Sequence, residues 1–345
     1  MHTVRAAAHD LARLGDVCIQ MGSPFFGGLL ERAVACYDTD PVLRDLLDRH
    51  AHRSRIGLRL GGAAHFRALR GLAPQIAAHY PSTGGDGDVE SAWRAVLADI
   101  HAHVRAYDEL FERPVQTNEV ARALPVLGAM LALVFATQLP LRVFEIGSSA
   151  GLILNFDRYR YAGEGWTWGD PASPVLLRNR TAWGAPAYPD APLRVIERRG
   201  CDLHPLHASD DDDTDTLLCF VWPDQRERFE RLRAAIEVAR AHPPDIASGD
   251  GIAWARSTAL PQERAATVVM HTVITEHMTA GVRASLRDAI DALAAQATPS
   301  APFAWIRMEP GESGYDTLLT QWPAEVQTVI ARSDGHAQNL RWAAP

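Results

Sequence analysis

Apolar residues in the first part of the chain recur at helical spacing. Between Ser91 and Phe111 they form one stripe at intervals of three and four, made of Trp93, Leu97, Ile100, Val104, Tyr107 and Phe111. Such a stripe is typical of an amphipathic helix. The segment 117–140 is mostly apolar and predicts a buried helix, whose most apolar part, 126–137, is too short to span a bilayer. No run here resembles a strand, so we expect an all-helical N-terminal domain over residues 1–138.

From residue 139 onward, short apolar runs alternate with helical stretches. The strand-like runs are LRVFEIG, LRVIER, TLLCFVW, DIASGD, ATVVMHTVI and FAWIRMEP. Helical stripes follow in PDQRERFERLRAAIEVARAH and GVRASLRDAIDALAAQA. Strands that alternate with helices predict a mainly parallel sheet covered on both faces. We therefore expect an α/β domain over residues 139–345.

Composition narrows the class of protein and its partners. The 345 residues are 47% hydrophobic and 22% charged, which is typical of a soluble globular protein of one large or two smaller domains. The formal net charge of −8 argues against a nucleic-acid partner, because phosphate binding needs a basic face. The sequence contains no basic amphipathic segment of the kind that binds a membrane surface. The four cysteines form no C-x-x-C pair and the N-terminus has no signal peptide, so we expect a cytoplasmic protein with reduced thiols.

The turn that follows the first strand-like run supports two interpretations. Residues 147–151, GSSAG, match the G-x-S-x-G nucleophile elbow of a serine hydrolase, in which Ser149 would attack the substrate. An acid, Asp224 or Asp250, and then His271 follow in the order that such hydrolases require. The context is unfavourable, however. About 140 mostly helical residues precede the turn, whereas the elbow of that fold follows several central strands.

The same turn also reads as acidic-x-Gly-x-x-x-Gly, with Glu145, Gly147 and Gly151 in the fixed positions. This pattern resembles the cofactor-binding motif of S-adenosylmethionine-dependent methyltransferases. That ligand carries an ammonium and a sulfonium but no phosphate, so a carboxylate in its pocket is electrostatically favourable. The glycines would let the backbone approach the ligand closely. We therefore expect Glu145, Gly147, Ser149 and Gly151 to hold the methionine end of the cofactor.

The methyltransferase resemblance implies further cofactor contacts downstream. An acid at the end of the second strand holds the ribose in such enzymes, and Asp224 or Glu197 is the candidate. An acid after the third strand lies near the adenine, which favours Asp250. Trp222 could stack on the adenine or belong to the core. His271 follows a strand-like run, where an imidazole could act as the general base on the methyl acceptor or serve as a buried structural histidine.

Several sequence blocks occur in order along most of the chain. They are TNEVARA, FEIGSSAGLILNFDRYRY, GDPASPV, GCDLHPL, VWPDQRERFERLRAAIEVA and WIRMEP. Together they resemble the bacterial domain-of-unknown-function family 2332. The resemblance implies a Rossmann-like, methyltransferase-type, mainly parallel sheet with a helical N-terminal extension. It implies no particular substrate.

The segment CDLHPLH places Cys201, Asp202, His204 and His207 within seven residues. A zinc or iron site is conceivable there, but Pro205 breaks helical geometry and no matching second cluster is apparent. We therefore expect no metal, and Asp202 could instead line the pocket at the ligand edge of the sheet.

The preferred function from sequence is methyl transfer from S-adenosylmethionine to an unidentified small or medium polar acceptor, either a small molecule or a peptide. The helical domain would position that acceptor and exclude water. A serine hydrolase that uses Ser149 is one alternative. A non-catalytic binding protein with a degenerate cofactor pocket is another, because Ser149 stands where the methyltransferase pattern usually has glycine.

Overall fold

The computed structural model describes residues 6–178 and 184–343. Its α-helices are α1 (Ala6–Gln20), α2 (Pro24–Tyr37), α3 (Pro41–Arg49), α4 (Ile56–Leu69), α5 (Pro74–Ala77), α6 (Val89–Glu112), α7 (Ala123–Thr137), α8 (Asp211–Cys219), α9 (Arg226–Ala241), α10 (Gly251–Thr258) and α11 (Ala280–Ala294). Its strands are β1 (Leu141–Ile146), β2 (Arg160–Gly163), β3 (Trp166–Trp168), β4 (Leu176–Arg178), β5 (Val195–Asp202), β6 (Asp245–Ser248), β7 (Ala266–Thr272), β8 (Phe303–Gly311), β9 (Gly314–Trp322), β10 (Val326–Ser333) and β11 (Arg341–Trp342). Short 3-10 helices cover Pro81–Thr83, Val120–Arg122, Ile153–Arg158 and Thr275–His277.

The chain forms two compact units. The first combines Met1–Thr117 with Ser209–Arg233, and the second combines Asn118–Ala208 with Ala234–Pro345. This division differs from a single boundary at residue 138 in two respects. Helix α7 belongs to the second unit, because it packs against β8, β9 and β10. Helix α8 belongs to the first unit, because it packs against α4.

The described part of the first unit is helical. Helix α6 confirms the predicted stripe. The carboxylate of Asp88 caps the N-terminus of this helix by accepting hydrogen bonds from the backbone N–H groups of Glu90 and Ser91. Its buried side chains, among them Trp93, Ile100 and Phe111, join the apolar core of the unit.

The run TLLCFVW, predicted as a strand, is mostly helical, and that prediction is wrong. Helix α8 covers Asp211–Cys219 and contains the first part of the run. Asp210 caps the helix, since its carboxylate accepts hydrogen bonds from the N–H groups of Asp212 and Asp213 at 2.8 and 3.1 Å. Three acidic residues in the first turn also favour the helix through its dipole. The acidic segment 211–215 is therefore the first part of this helix.

The second unit contains an eight-stranded sheet in the order β11-β10-β9-β8-β7-β1-β5-β6. The five strands from β6 to β8 are parallel, and β9, β10 and β11 continue the sheet by antiparallel pairing. A separate three-stranded sheet has the order β3-β2-β4. The predicted mixed α/β class with a large, mostly parallel sheet is thereby confirmed.

One face of the sheet is covered by α10 and α11. Phe144, Val269 and Trp305 on the strands share a core with residues of these two helices, including Ile290. The most apolar helical stretch, Val120–Thr137, has 18 residues and a mean hydropathy of 1.9, so by length and composition it could cross a membrane. Within the protein 78% of it is buried, as expected for the core helix of a globular unit.

Candidate functional site

The sequence motif lies at the point where the strand order of the large sheet reverses. Strand β1 is the first strand in the chain, and the next two parallel strands, β5 and β6, lie on one side of it. Strands β7 and β8 lie on its other side. In open α/β sheets, ligands bind outside the carboxyl ends of the strands at such a switch point. The carboxyl end of β1 and the turn after it are therefore the candidate site.

The backbone of this turn has an unusual conformation. Gly147, Ser149 and Gly151 have φ angles of +73°, +52° and +65°, in the left-handed region. A Cβ atom on Gly147 would lie 2.7 Å from a side-chain carbon of Ile274, and one on Gly151 would lie 2.6 Å from the ring of Pro244. Both glycines are thus required by backbone conformation and by close packing within the protein. The approach of a ligand to these two glycines stays a prediction.

The turn is attached to the carboxyl end of β5. The N–H groups of Gly147 and Ser148 donate hydrogen bonds to the carbonyl oxygen of Cys201 at 2.8 and 3.2 Å. The N–H of Ser149 donates to Oδ2 of Asp202 at 2.8 Å, and the N–H of His204 donates to Oδ1 of the same residue at 2.9 Å. Asp202 therefore fixes the conformation of the turn, in agreement with its predicted place at the ligand edge.

Glu145 is the most distinctive residue of the site. Its side chain is 2% exposed, and its Oε2 atom has no hydrogen-bond partner among the residues that the structure describes. Burial raises the pKa of Glu145 well above its usual value, the charge of Asp202 raises it further, and Arg122 opposes the rise. A buried polar atom without a partner costs roughly 1–3 kcal/mol, and native proteins contain few of them. Oε2 of Glu145 is therefore a buried acceptor that has no donor among the described residues.

Three further unpaired polar atoms lie at the same end of the sheet. They are Oγ of Ser148, Oγ of Ser149 and Nε2 of His271, all buried and without a partner among the described residues. Ser148 and Ser149 follow β1, and His271 is the penultimate residue of β7. Glu145 pairs with Met270 in the register of β1 and β7, so Glu145 and His271 project from opposite faces of the sheet. The unpaired groups thus flank the carboxyl edge from both sides.

His271 has one strong partner that the sequence does not reveal. Its Nδ1 lies 2.7 Å from Oε1 of Glu309, which is on the adjacent strand β8. Burial alone raises the pKa of Glu309, but hydrogen bonds and charge from His271 and hydrogen bonds from Thr275 and Ile274 lower it below its usual range. His271 and Glu309 therefore form an imidazole–carboxylate pair at the edge of the candidate site.

Asp224 does not lie at the end of a sheet strand. It belongs to the first unit, between α8 and α9. Its carboxylate accepts a hydrogen bond from Oγ of Ser23 and another, at 2.9 Å, from the N–H of Phe25 in the first turn of α2. The prediction that Asp224 follows the second strand is therefore wrong, and its carboxylate helps to begin α2.

The other two candidates for the ribose and adenine side also have structural partners. Trp222 packs in the core of the first unit, where its ring stacks on Phe26 with a centroid distance of 6.0 Å. Glu197 lies near the start of β5 rather than at its end, and it pairs with Arg142 at 2.6 Å. The residue at the carboxyl end of β5 is Asp202.

Asp250 does follow β6, as the sequence predicts. Its carboxylate begins α10 by accepting hydrogen bonds from the N–H groups of Ile252 and Ala253 at 2.8 and 3.2 Å. Its side chain is exposed at the carboxyl end of the sheet. A contact of Asp250 with adenine stays a prediction.

The described residues provide no histidine base for Ser149, the nucleophile of the hydrolase interpretation. Ser149 is 7% exposed, and no histidine among the described residues accepts a hydrogen bond from its Oγ. The acid that pairs with His271 is Glu309 and not the predicted Asp224 or Asp250.

Across residues 6–178 and 184–343, no group of three or more His, Cys, Asp or Glu side chains is arranged to hold a metal.

Comparison with known proteins gives one match. A bacterial family described as "uncharacterized protein conserved in bacteria (DUF2332)" matches residues 8–342. No curated protein and no solved structure matches the chain significantly. The match spans nearly the whole chain, including segments of both units, and it confirms the family that the sequence blocks resemble. The chain therefore belongs to the bacterial domain-of-unknown-function family 2332.

Proposed function

We propose that the second unit binds S-adenosylmethionine at the carboxyl end of β1 and that the protein transfers a methyl group to a small or medium polar acceptor. The observation that carries the proposal is the buried carboxyl of Glu145, whose Oε2 has no partner among the described residues. The ammonium group of the cofactor would supply the hydrogen-bond donor that Oε2 lacks, together with a positive charge.

The order of the parallel strands supports the proposal. Counted along the chain, β6, β5, β1, β7 and β8 are the third, second, first, fourth and fifth parallel strands of the large sheet. The same order, 3-2-1-4-5, begins the doubly wound sheets that bind adenosine-containing cofactors. This comparison is what favours a Rossmann-like interpretation of the sheet.

The element after the turn also suits this cofactor. The turn leads into a 3-10 helix of six residues, Ile153–Arg158, rather than into a long α-helix. A long helix would offer the positive end of its dipole to a phosphate. S-adenosylmethionine carries no phosphate, so the site does not need that feature.

The residues at the edge can be assigned roles within the proposal. When bound, S-adenosylmethionine supplies an electrophilic methyl group on a sulfonium. Glu145 binds the ammonium end, next to the turn 147–151. Asp202 replaces Asp224 as the candidate for the ribose hydroxyls, since each of its oxygens accepts one backbone N–H and retains a second lone pair. Asp250 remains the candidate for the adenine.

The cellular setting is part of the proposal. All four cysteines are free thiols, three of them buried, which supports a reducing cytoplasmic location. The net charge of −8 supports a small-molecule or peptide acceptor rather than a nucleic acid.

Calorimetric titration tests the proposal directly. The full-length protein is titrated with S-adenosylmethionine and with S-adenosylhomocysteine, and the titrations are repeated with Glu145→Gln. Glu197→Gln is the matched control, because it makes the same change from a carboxyl to an amide on a strand of the same sheet but lies near the start of β5.

The expected result is binding to the wild type and to Glu197→Gln, with affinity lowered at least tenfold in Glu145→Gln, since loss of a buried charged contact costs more than about 1.4 kcal/mol. Absence of heat with both compounds would contradict the proposal. Equal affinity in Glu145→Gln would contradict the assignment of the site. Binding without methyl transfer would instead favour a non-catalytic binding protein.

A further inference from the structure

Glu309 and His271 are brought together by two neighbouring parallel strands. His271 is paired with Arg307 in the register of β7 and β8, so Glu309 lies one alternation further along the same face. The distance between Nδ1 of His271 and Oε1 of Glu309 is 2.7 Å. His271 is fully buried, and the side chain of Glu309 is 11% exposed.

The other partners of Glu309 fix its chemical form. The N–H groups of Ile274 and Thr275 donate to its two oxygens at 3.0 and 3.2 Å, and the hydroxyl of Thr275 donates to it at 2.5 Å. These hydrogen bonds, with that of His271, keep the pKa of Glu309 below its usual range despite burial. A carboxylate only accepts hydrogen bonds, so the proton of the neutral imidazole must be on Nδ1.

The opposite ring nitrogen then carries a free lone pair. Nε2 of His271 is buried and has no partner among the described residues. It lies at the carboxyl end of β7, next to the switch point of the sheet. A neutral imidazole in this tautomer is a proton acceptor, and the carboxylate stabilises the imidazolium that forms.

Resting on the proposed function, we propose that Glu309 is a positioning residue that holds His271 in the Nδ1–H tautomer, so that Nε2 accepts the proton of a hydroxyl group on the methyl acceptor. In this step the O–H bond of the acceptor breaks, its electron pair stays on oxygen, and the proton moves to Nε2. The carboxylate of Glu309 accepts hydrogen bonds from His271 and from the turn at Ile274 and Thr275.

The free lone pair on Nε2 of His271 selects among acceptor classes. A carboxylate acceptor is already ionised at neutral pH and needs no base. A hydroxyl is neutral before the step and must lose its proton as the oxygen gains negative charge, so it is the acceptor that uses a base at this position.

Nitrogen NMR of histidine tests the positioning role in the free protein, without any cofactor. The protein is labelled with 15N at histidine, and His271→Gln identifies the signals of His271. We expect the wild type to show a protonated Nδ1 and an unprotonated Nε2. Glu309→Gln should shift the population toward Nε2–H, because the amide can donate to Nδ1. Glu276→Gln is the control, since Glu276 bonds to Tyr315 and should leave the tautomer unchanged.

The wild-type spectrum alone can overturn the positioning role, because a dominant Nε2–H tautomer is incompatible with it. A merely structural role for Glu309, in which it only holds the turn at residues 274–275, predicts the same tautomer in Glu309→Gln as in the wild type. That result would also overturn the inference. Neither outcome depends on whether the protein binds S-adenosylmethionine.

The acceptor class is tested with phenol and with anisole, its methyl ether, on protein that contains S-adenosylhomocysteine. Phenol should shift the Nε2 signal of His271 in the direction of hydrogen bonding, and anisole should not. No shift with phenol up to its solubility limit, or an equal shift with anisole, overturns the hydroxyl class. If calorimetry shows that S-adenosylhomocysteine does not bind, the proposed function fails and the acceptor class fails with it, while the tautomer result stands.

Discussion

Replacement of Glu145 should stabilise the protein while it removes cofactor binding. The residue is 2% exposed, and Oε2 lacks a partner among the described residues. An unsatisfied buried polar group costs about 1–3 kcal/mol. Glu145→Met has a similar length and no hydrogen-bonding demand, so we expect the free energy of unfolding of the second unit to rise by about 1–3 kcal/mol. Glu145→Gln should gain less, because its amide also lacks partners.

The effect of Glu145 on stability should depend on pH. Below about pH 4 the carboxyl is protonated in both the folded and the unfolded chain, so its ionisation contributes nothing. As the pH rises, the unfolded chain releases the proton first, because burial raises the pKa of Glu145 in the folded chain. The folded state therefore loses stability with rising pH until the raised pKa is reached. Glutamine does not ionise, so Glu145→Gln does not lose stability in this way. Its free energy of unfolding relative to that of the wild type should therefore increase with pH between the two pKa values.

Urea unfolding followed by tryptophan fluorescence measures the difference. Trp93 and Trp222 are the tryptophans in the described part of the first unit, and six tryptophans lie in the described part of the second unit and report on it. Curves are compared for the wild type, Glu145→Met, Glu145→Gln and the control Glu197→Gln from about pH 5 to about pH 8. A wild type that is more stable than both Glu145 variants at every pH, with a constant gap, would show that this carboxyl is satisfied in the free protein. The reasoning from its missing partner would then be refuted.

Three further substitutions separate the site from its surroundings. Asp224→Asn should lower the free energy of unfolding by about 0.5–2 kcal/mol, measured by urea unfolding, because Asp224 accepts a hydrogen bond at the start of α2. Its affinity for S-adenosylmethionine, measured by calorimetry, should equal that of the wild type. In Gly200→Ala the new methyl group would collide with Ser148, so cofactor binding should weaken at least tenfold and the protein should lose about 1–3 kcal/mol of unfolding free energy. Cofactor affinity equal to that of the wild type would contradict the role of the turn in binding. Fluorophosphonate should label neither the wild type nor Ser149→Ala, and labelling of the wild type that Ser149→Ala abolishes would restore the hydrolase interpretation.

The sequence predicts the strands that are buried along their whole length. All residues of β1 and β7 are buried, and their apolar runs are visible in the sequence. The run TLLCFVW is ambiguous, because a short apolar run fits a strand or a buried helix. Its helical state depends on the cap from Asp210 and on packing against α4, which local composition does not reveal.

The end of β5 is hidden in the sequence for a different reason. This strand continues past Glu197 through two arginines, Arg198 and Arg199, whose charges argue against a strand. Their partners are Asp157 and Asp245, which are distant in sequence. Asp202 is therefore recognisable as the last residue of the strand only in the folded chain.

The candidate site is predictable where its residues are consecutive. Glu145 and the turn 147–151 form one local motif, and their place at a switch point follows from strand order. Glu309 is separated from His271 by 38 residues and gives no local pattern, so the sequence alone does not pair them. The glycines of the turn have a reason that the sequence does not show, since Ile274 and Pro244 pack against them within the protein; their contact with a cofactor stays a prediction.

Calorimetric titration of the wild type with S-adenosylmethionine in two buffers of different ionisation enthalpy tests the central claim most directly. If the ammonium of the ligand meets a carboxyl that is protonated in the free protein, binding should release up to one proton, and the release should vanish in Glu145→Gln. Binding without proton release that is equally strong in Glu145→Gln, or no binding at all, would contradict the account.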